Sequence, residues 1–199
     1  MEKSKIIIVE GPQGTGKTTL ANYLRENIPS SNLYRLAGQK DKTETGKMIS
    51  KKMYMAMQEY MSKMQGIPMD LIFDRTFFTE QIYASLGYKD YSFDDVFYLL
   101  LDALDSLNFD VYFVNLYLEN TEIYRERLDR ETHHNYHTFS LESSVAQQNA
   151  YLKLAEYIKN NTDINVIYLK MDNFDEAYKI INELFEIDKQ VIRSRNKSE

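Results

Sequence analysis

The sequence predicts an α/β fold of the doubly wound, phosphate-loop type, and three observations lead to it. Short apolar segments alternate with longer helical ones, the first apolar segment runs into a glycine-rich loop, and a helical pattern begins directly after that loop. This alternation is typical of a parallel sheet that is covered by helices on both faces. We therefore expect five parallel strands flanked by helices, with a short arginine-rich lid.

The predicted elements follow one another without an intervening linker. Strands are expected near residues 5–9, 33–36, 70–73, 110–117 and 164–169, and helices near residues 17–27, 44–64, 76–86, 93–107, 120–130, 140–160 and 174–186. Residues 1–187 are therefore assigned to one domain. Residues 188–199 are charged and nearly without apolar side chains, so we expect this tail to be disordered.

The first strand, "IIIV", leads into "GPQGTGKT", a Gly-x4-Gly-Lys-Thr spacing that is typical of loops that bind nucleoside triphosphates. Glycines let successive amides turn toward an anion, and the start of the next helix adds unpaired N–H groups. We expect Lys17 to pair with the β- and γ-phosphates of ATP and Thr18 to bind Mg²⁺. The predicted nucleotide-binding residues are Gly11, Gln13, Gly14, Thr15, Gly16, Lys17, Thr18 and Thr19. A bare glycine-rich turn is the alternative, and the flanking strand and helix disfavour it.

A second candidate feature ends the third predicted strand, where "DLIF" is followed by Asp74 and Arg75. In an open α/β sheet, ligands bind at the carboxyl ends of the strands, so both side chains should face the same crevice as the phosphate loop. Asp74 could hold Mg²⁺ or accept a proton, and Arg75 could clamp a phosphoryl group. An ion pair without chemistry is the alternative.

Arginines crowd the end of the predicted helix 120–130. We interpret residues 131–139 as a lid, with Arg127 and Arg130 closing over the transferring phosphoryl group as catalytic residues. A solvated helix face with alternating charges is the other interpretation. His133 and His137 have the spacing of metal ligands, but no carboxylate or cysteine completes a zinc set, which favours an ordinary exposed segment.

Four methionines of the second predicted helix share one face: Met53, Met57, Met61 and Met64. Such a stripe is most often core, because methionine adapts to irregular gaps. Lining of a base pocket is the alternative.

Composition narrows the function further. The 199 residues include no cysteine, which excludes disulfides and thiol chemistry, and no apolar run long enough for a membrane span or a signal peptide. We therefore expect a cytoplasmic protein without a membrane partner. The net charge of −6 disfavours broad nucleic-acid binding.

With these segments in order, the chain resembles the thymidylate kinase and deoxynucleoside kinase group of phosphate-loop kinases, up to about residue 186. "IIIVEGPQGTGKTTLANYL" resembles their first strand, loop and helix, and "LIFDRTFFTEQIYA" resembles their Asp/Glu-Arg strand end. "VNLYLENTEIYRERLDRE" is similar to their arginine-rich lid, and "QQNAYLKLAEYI" to the helix after it. "YRLAG…TETGKMI" is similar to a thymidylate kinase segment with a substrate-phosphate arginine, which implies that role for Arg35. The resemblance implies that Arg75 and Tyr83 also bind the substrate.

One departure from the family bears on the acceptor. Both branches usually carry a glutamate at the end of the second strand, where this chain has Leu36 and Ala37 beside Arg35. The presence of Arg35 and the absence of the glutamate favour a monophosphate acceptor, because a nucleoside hydroxyl needs a carboxylate to take its proton. We therefore expect ATP- and Mg²⁺-dependent phosphorylation of a nucleoside monophosphate, a pyrimidine deoxynucleotide.

Three alternatives stay open. In a deoxynucleoside kinase, Asp74 would serve as the base for a 5′-hydroxyl. A kinase that acts on nucleic acid is disfavoured by the charge, and a non-kinase switch would need an effector surface that we do not identify. Whether the protein forms a homodimer also stays open.

Overall fold

In the computed structural model, which describes residues 3–36, 38–130 and 140–187, five parallel strands form one sheet in the order β2-β3-β1-β4-β5. The strands are β1 (Lys5–Glu10), β2 (Ser31–Arg35), β3 (Asp70–Asp74), β4 (Asp110–Tyr117) and β5 (Asn165–Lys170). The predicted doubly wound parallel sheet is therefore confirmed. β1 lies at its centre, and its apolar residues are fully buried, as expected for a strand covered on both faces.

Seven helices connect and cover the strands in the described part of the chain. They are α1 (Lys17–Asn27), α2 (Glu44–Lys63), α3 (Phe77–Ser85), α4 (Asp94–Asp105), α5 (Thr121–Arg130), α6 (Leu141–Asn161) and α7 (Phe174–Leu184). Each corresponds to a predicted helix. β2 begins two residues earlier than predicted, because Ser31 and Asn32 already pair with the start of β3.

The helices divide into two layers with separate hydrophobic cores. α2, α3, α4 and α6 pack on one face of the sheet, and α1, α5 and α7 pack on the other. The predicted methionine face belongs to the first core: Met57 and Met61 are buried, and Met53 and Met64 pack against them in part. This face is therefore core, and its alternative use as a base pocket is not needed to explain it.

The segment predicted as a lid, 131–139, and the tail, 188–199, lie outside the described residues. Among the helices that are described, none combines the length and the apolar character that a membrane crossing requires.

Candidate active site

The glycine-rich loop between β1 and α1 needs its glycines for two physical reasons. Gly14 and Gly16 have φ angles of 79° and 89°, in the left-handed region that side chains rarely adopt. Gly11 approaches β4 so closely that an added Cβ would lie 2.6 Å from the carbonyl oxygen of Leu116. Gly16 is also the N-cap of α1, so the loop directs the unpaired amides at the start of that helix into the crevice.

Lys17 and Thr15 both turn toward the same atom of the loop. The Lys17 Nζ donates to the carbonyl oxygen of Pro12 at 2.6 Å, and the Thr15 Oγ1 donates to it at 2.8 Å. Lys17 is 5% exposed, so its ammonium group is withdrawn from bulk water. A cation held this way over a ring of amides is suited to a small, highly charged anion.

Asp74 lies at the carboxyl end of β3, between α1 and β2. Its Oδ2 accepts a hydrogen bond from the Thr18 Oγ1 at 2.9 Å and lies 3.5 Å from the Nε of Arg35. Arg35 also donates to Asn22 on α1. We call Lys17, Thr18, Arg35 and Asp74 the phosphate-side cluster. The structure thus brings residues from three separate predicted motifs together.

Arg75 follows Asp74 in an uncommon backbone conformation. Its φ is 71°, which costs an ordinary L-residue on the order of 1 kcal/mol. The Nη2 of its side chain lies 3.4 Å from the Oε1 of Gln13, so the guanidinium reaches the phosphate loop. Burial lowers the pKa of Arg75, but its coulombic interactions with Tyr83, Tyr151 and other nearby groups outweigh that effect and raise it. The arginine therefore stays charged.

A cavity of about 130 Å³ lies between the loop and Arg75. It is lined by Gln13, Gly14, Gly16, Lys17, Thr18, Thr19 and Arg75. All of these were predicted from the sequence as site residues. A lysine, an arginine, hydroxyls and the main chain of the loop surround this space, and such groups are suited to an anion.

Arg127, one of the two arginines predicted to belong to a lid, is placed differently from this group. The Arg127 Nη2 donates to the carbonyl oxygen of Met171 at 2.7 Å, and its guanidinium lies over the Phe174 ring, 4.6 Å from the ring centroid. Arg127 does not line the cavity in the described part of the chain. The side chain of Arg130 lies outside what the structure describes. Tyr83 is partly buried, and its coulombic interaction with Arg75 raises the pKa of that arginine.

Sequence reasoning missed Glu10, the last residue of β1. Its side chain is fully buried, and each carboxylate oxygen is bound by two donors. Oε1 accepts from the N–H (2.7 Å) and the Oγ1 (3.1 Å) of Thr76, and Oε2 accepts from the Thr79 Oγ1 (2.7 Å) and the Tyr151 Oη (3.2 Å). Burial raises the pKa of Glu10, although the hydrogen bonds from Thr79 and Thr76 and the charge of Arg75 act in the opposite direction. The sequence contained one indication of its importance, since Glu10 is an acidic residue at the end of an otherwise apolar strand.

A second buried acid lies nearby on α3. The Glu80 Oε1 is 3.0 Å from the Nζ of Lys89 and accepts a hydrogen bond from Tyr91, and both charged side chains are almost fully buried. Its Oε2 has no hydrogen-bond partner among the described residues. Burial, followed by the hydrogen bond to Glu80, raises the pKa of Tyr91. We call Glu10, Glu80 and Lys89, with the hydroxyl groups that bind them, the buried acid cluster.

Comparison with known proteins gives matches in structure but not in sequence. No protein-family model and no curated protein sequence matches the chain. The thymidylate kinase of Candida albicans superposes with a TM-score of 0.67 at 13% identity, over 95% of this chain and 94% of that one. The deoxyadenosine kinase of M. mycoides with bound dCTP gives a TM-score of 0.59 at 20% identity, over 92% of this chain and all of that one. The same kinase with dCMP and dCDP gives 0.57 at 18% identity. The chain therefore has the fold shared by thymidylate kinase and deoxyadenosine kinase, which confirms the predicted resemblance at the level of the fold.

Proposed function

We propose that this protein is a kinase that transfers the γ-phosphoryl group of ATP, with Mg²⁺, to a nucleoside monophosphate, with a pyrimidine deoxynucleotide as the preferred acceptor. The observation that carries the proposal is the cavity that the phosphate loop and Arg75 enclose, with Asp74 bonded to Thr18 at its edge. The fold shared with a thymidylate kinase and a deoxyadenosine kinase supports it.

The residues at the cavity fit a magnesium-bound nucleoside triphosphate. The left-handed glycines and the N-terminus of α1 supply amides, and Lys17 supplies a buried positive charge. The Thr18 hydroxyl and the Asp74 carboxylate form an oxygen pair, the ligand type that Mg²⁺ prefers. When bound there, Mg²⁺ would neutralise negative charge on the phosphate oxygens during phosphoryl transfer.

The protein's own part in this reaction is mainly positioning and charge stabilisation. Lys17 and the loop amides would hold the donor phosphates, and Arg75 would orient the group being transferred. Arg35 lies beside Asp74 on the α1 side, where its half-exposed guanidinium can reach an acceptor phosphate. Arg127 and Arg130 remain proposed lid residues, and for Arg127 this role requires release from Met171 and Phe174.

A nucleoside kinase is the second candidate, and the position of Asp74 favours it. Asp74 is the carboxylate at the edge of the phosphate site, where it could take the proton of a 5′-hydroxyl. Against this, its Oδ2 is already engaged by Thr18 and Arg35. Arg35 distinguishes the two candidates, because a monophosphate acceptor would need its positive charge and a nucleoside acceptor would not.

The deciding experiment measures kcat/KM for thymidine and thymidine monophosphate, and for the corresponding cytosine compounds, by following ADP release from ATP. We expect the monophosphates to be the better acceptors. Arg35→Ala should lower kcat/KM for the monophosphate while ATP affinity is retained, because a cation that faces the acceptor is lost. Arg25→Ala, an exposed arginine on α1, is the matched control and should behave as wild type. Efficient phosphorylation of nucleosides that does not depend on Arg35 would establish the second candidate.

A further inference from the structure

Arg75 is held in its left-handed conformation by hydrogen bonds on both of its flanking peptide units. Its own N–H donates to the carbonyl oxygen of Val9 at 3.2 Å. The N–H of the next residue, Thr76, donates to the Glu10 Oε1 at 2.7 Å. Two consecutive residues of β1 therefore fix the two torsion angles of Arg75, and the second of these contacts comes from a side chain rather than from the sheet.

The Glu10 carboxylate is itself held from three directions. Thr76 bonds one oxygen through its hydroxyl as well as its amide, while Thr79 of α3 and Tyr151 of α6 bond the other. The Thr79 Oγ1 and the Tyr151 Oη lie 2.9 Å from each other, but each hydroxyl has a single proton, which it directs to Glu10. A carboxylate with four donors and no exposure has a single orientation, so it can transmit that orientation to Thr76.

Packing alone does not account for an acid at this position. The preceding β1 residues on this face, Ile6 and Ile8, are buried in the core, and an apolar side chain would continue that pattern. Burial of a carboxylate is costly unless hydrogen bonds compensate it, and here four donors in a defined arrangement do so. What these bonds define is the backbone at Arg75, whose guanidinium lies against Gln13 of the phosphate loop.

We propose that Glu10 is a positioning residue for phosphoryl transfer, which fixes Arg75 against the phosphate loop by binding the amide and the hydroxyl of Thr76. The proposal rests on the proposed kinase function. Glu10 directly precedes Gly11, so the same strand end places both the donor loop and the arginine. It follows that the length of the side chain at position 10 matters more than its charge.

Two substitutions separate length from charge. Glu10→Gln keeps the length and an oxygen for Thr76, and its amide can donate to the hydroxyls of Thr79 and Tyr151. Glu10→Asp keeps the charge and withdraws the oxygens by one methylene. With thymidine monophosphate as acceptor, we expect Glu10→Asp to lose about 100-fold in kcat/KM, the size typical of a small misplacement of a reacting group. Glu10→Gln should retain activity within about tenfold, and the exposed control Glu183→Asp should match wild type.

The same variants in an Arg75→Ala background test whether Glu10 acts through the arginine. We expect Glu10→Asp to cause no further loss there, within about twofold, because residues that act as one unit are not additive. A loss that persists in that background, or a Gln variant weaker than the Asp variant, overturns the proposal. If Glu10→Asp does not fold, Thr76→Val replaces it. It removes only the hydroxyl contact and should cost about tenfold, again only when Arg75 is present.

Failure of the kinase function itself would give a different result, since the wild-type protein would then phosphorylate no nucleotide or nucleoside. In that case a crystal structure of Glu10→Asp decides the positioning proposal. Departure of the Arg75 φ from the left-handed region supports the proposal, and an unchanged φ overturns it.

Discussion

Asp74 and Glu10 end neighbouring strands of the sheet, and their side chains lie on opposite faces of it. Asp74 faces α1, where it binds the Thr18 hydroxyl and Arg35 at the edge of the cavity. Glu10 faces α3 and α6, where threonine and tyrosine hydroxyls and one amide satisfy it completely. The groups proposed to bind phosphates and Mg²⁺ therefore lie on the α1 side of the sheet. The carboxylate that binds the backbone beside Arg75 lies on the α3 and α6 side.

We expect mutations in the phosphate-side cluster and in the buried acid cluster to have different effects on catalysis and on stability. Substitution on the α1 side should impair catalysis more than stability. Substitution on the α3 side should impair stability, and should reach catalysis only through Arg75.

The largest effect is expected at Lys17. Lys17→Ala should lower kcat by about 1,000-fold, because the donor phosphates lose a preorganised charge in a site with little water. The measurement is steady-state turnover with the best acceptor, together with a thermal melt to show that the variant is folded. Lys63→Ala, an exposed lysine of α2, is the control. Wild-type turnover in folded Lys17→Ala would contradict a catalytic phosphate-side cluster.

In the buried acid cluster, Lys89→Met should lower the free energy of unfolding by about 3 kcal/mol, because it leaves the Glu80 carboxylate buried without its cation. Denaturant unfolding gives the free energy of unfolding. Lys63→Met breaks an exposed pair with Glu59 and should have a much smaller effect. Equal decreases in the free energy of unfolding of the two variants would show that burial does not make the Glu80–Lys89 pair more important for stability than an exposed pair.

Asp74→Asn should lower kcat/KM by about 100-fold and raise the Mg²⁺ concentration needed for half-maximal activity, because one of two proposed metal ligands loses its charge. A magnesium titration measures both quantities, with Asp90→Asn, an exposed residue, as the control. If the Mg²⁺ requirement does not change, Asp74 is not a metal ligand.

The smallest effect concerns pH and Glu10. Its pKa in the folded state lies above the ordinary value of 4.5, so the folded protein keeps a proton that the unfolded chain releases. Wild-type stability should therefore fall as pH rises from 4.5 toward the raised pKa, because the unfolded chain releases the proton that the folded protein keeps. Glu10→Gln lacks this proton release, so its melting temperature relative to wild type should climb with pH. A constant difference across that range would argue against the raised pKa.

The sequence was sufficient to predict the sheet, the seven helices and the lining of the cavity, since local patterns encode these features. A buried apolar run before a glycine loop defines β1, and a strand end defines the place of Asp74 and Arg75. Arg127 could not be placed in this way, because its contacts with Met171 and Phe174 come from a distant part of the chain. The motif begins at Gly11, so it gave no role to the residue before it, and the partners of Glu10 lie on α3 and α6.

The order of the strands also affects how the chain acquires its phosphate site during synthesis. β1 is made before the other strands, yet it pairs with β3 on one side and with β4 on the other. A nascent chain that has not reached residue 117 carries the complete glycine-lysine-threonine motif without all of β4, one of the two strands that pair with β1. Ribosome-bound chains should therefore be retained on immobilised ATP only after β4 has emerged from the exit tunnel.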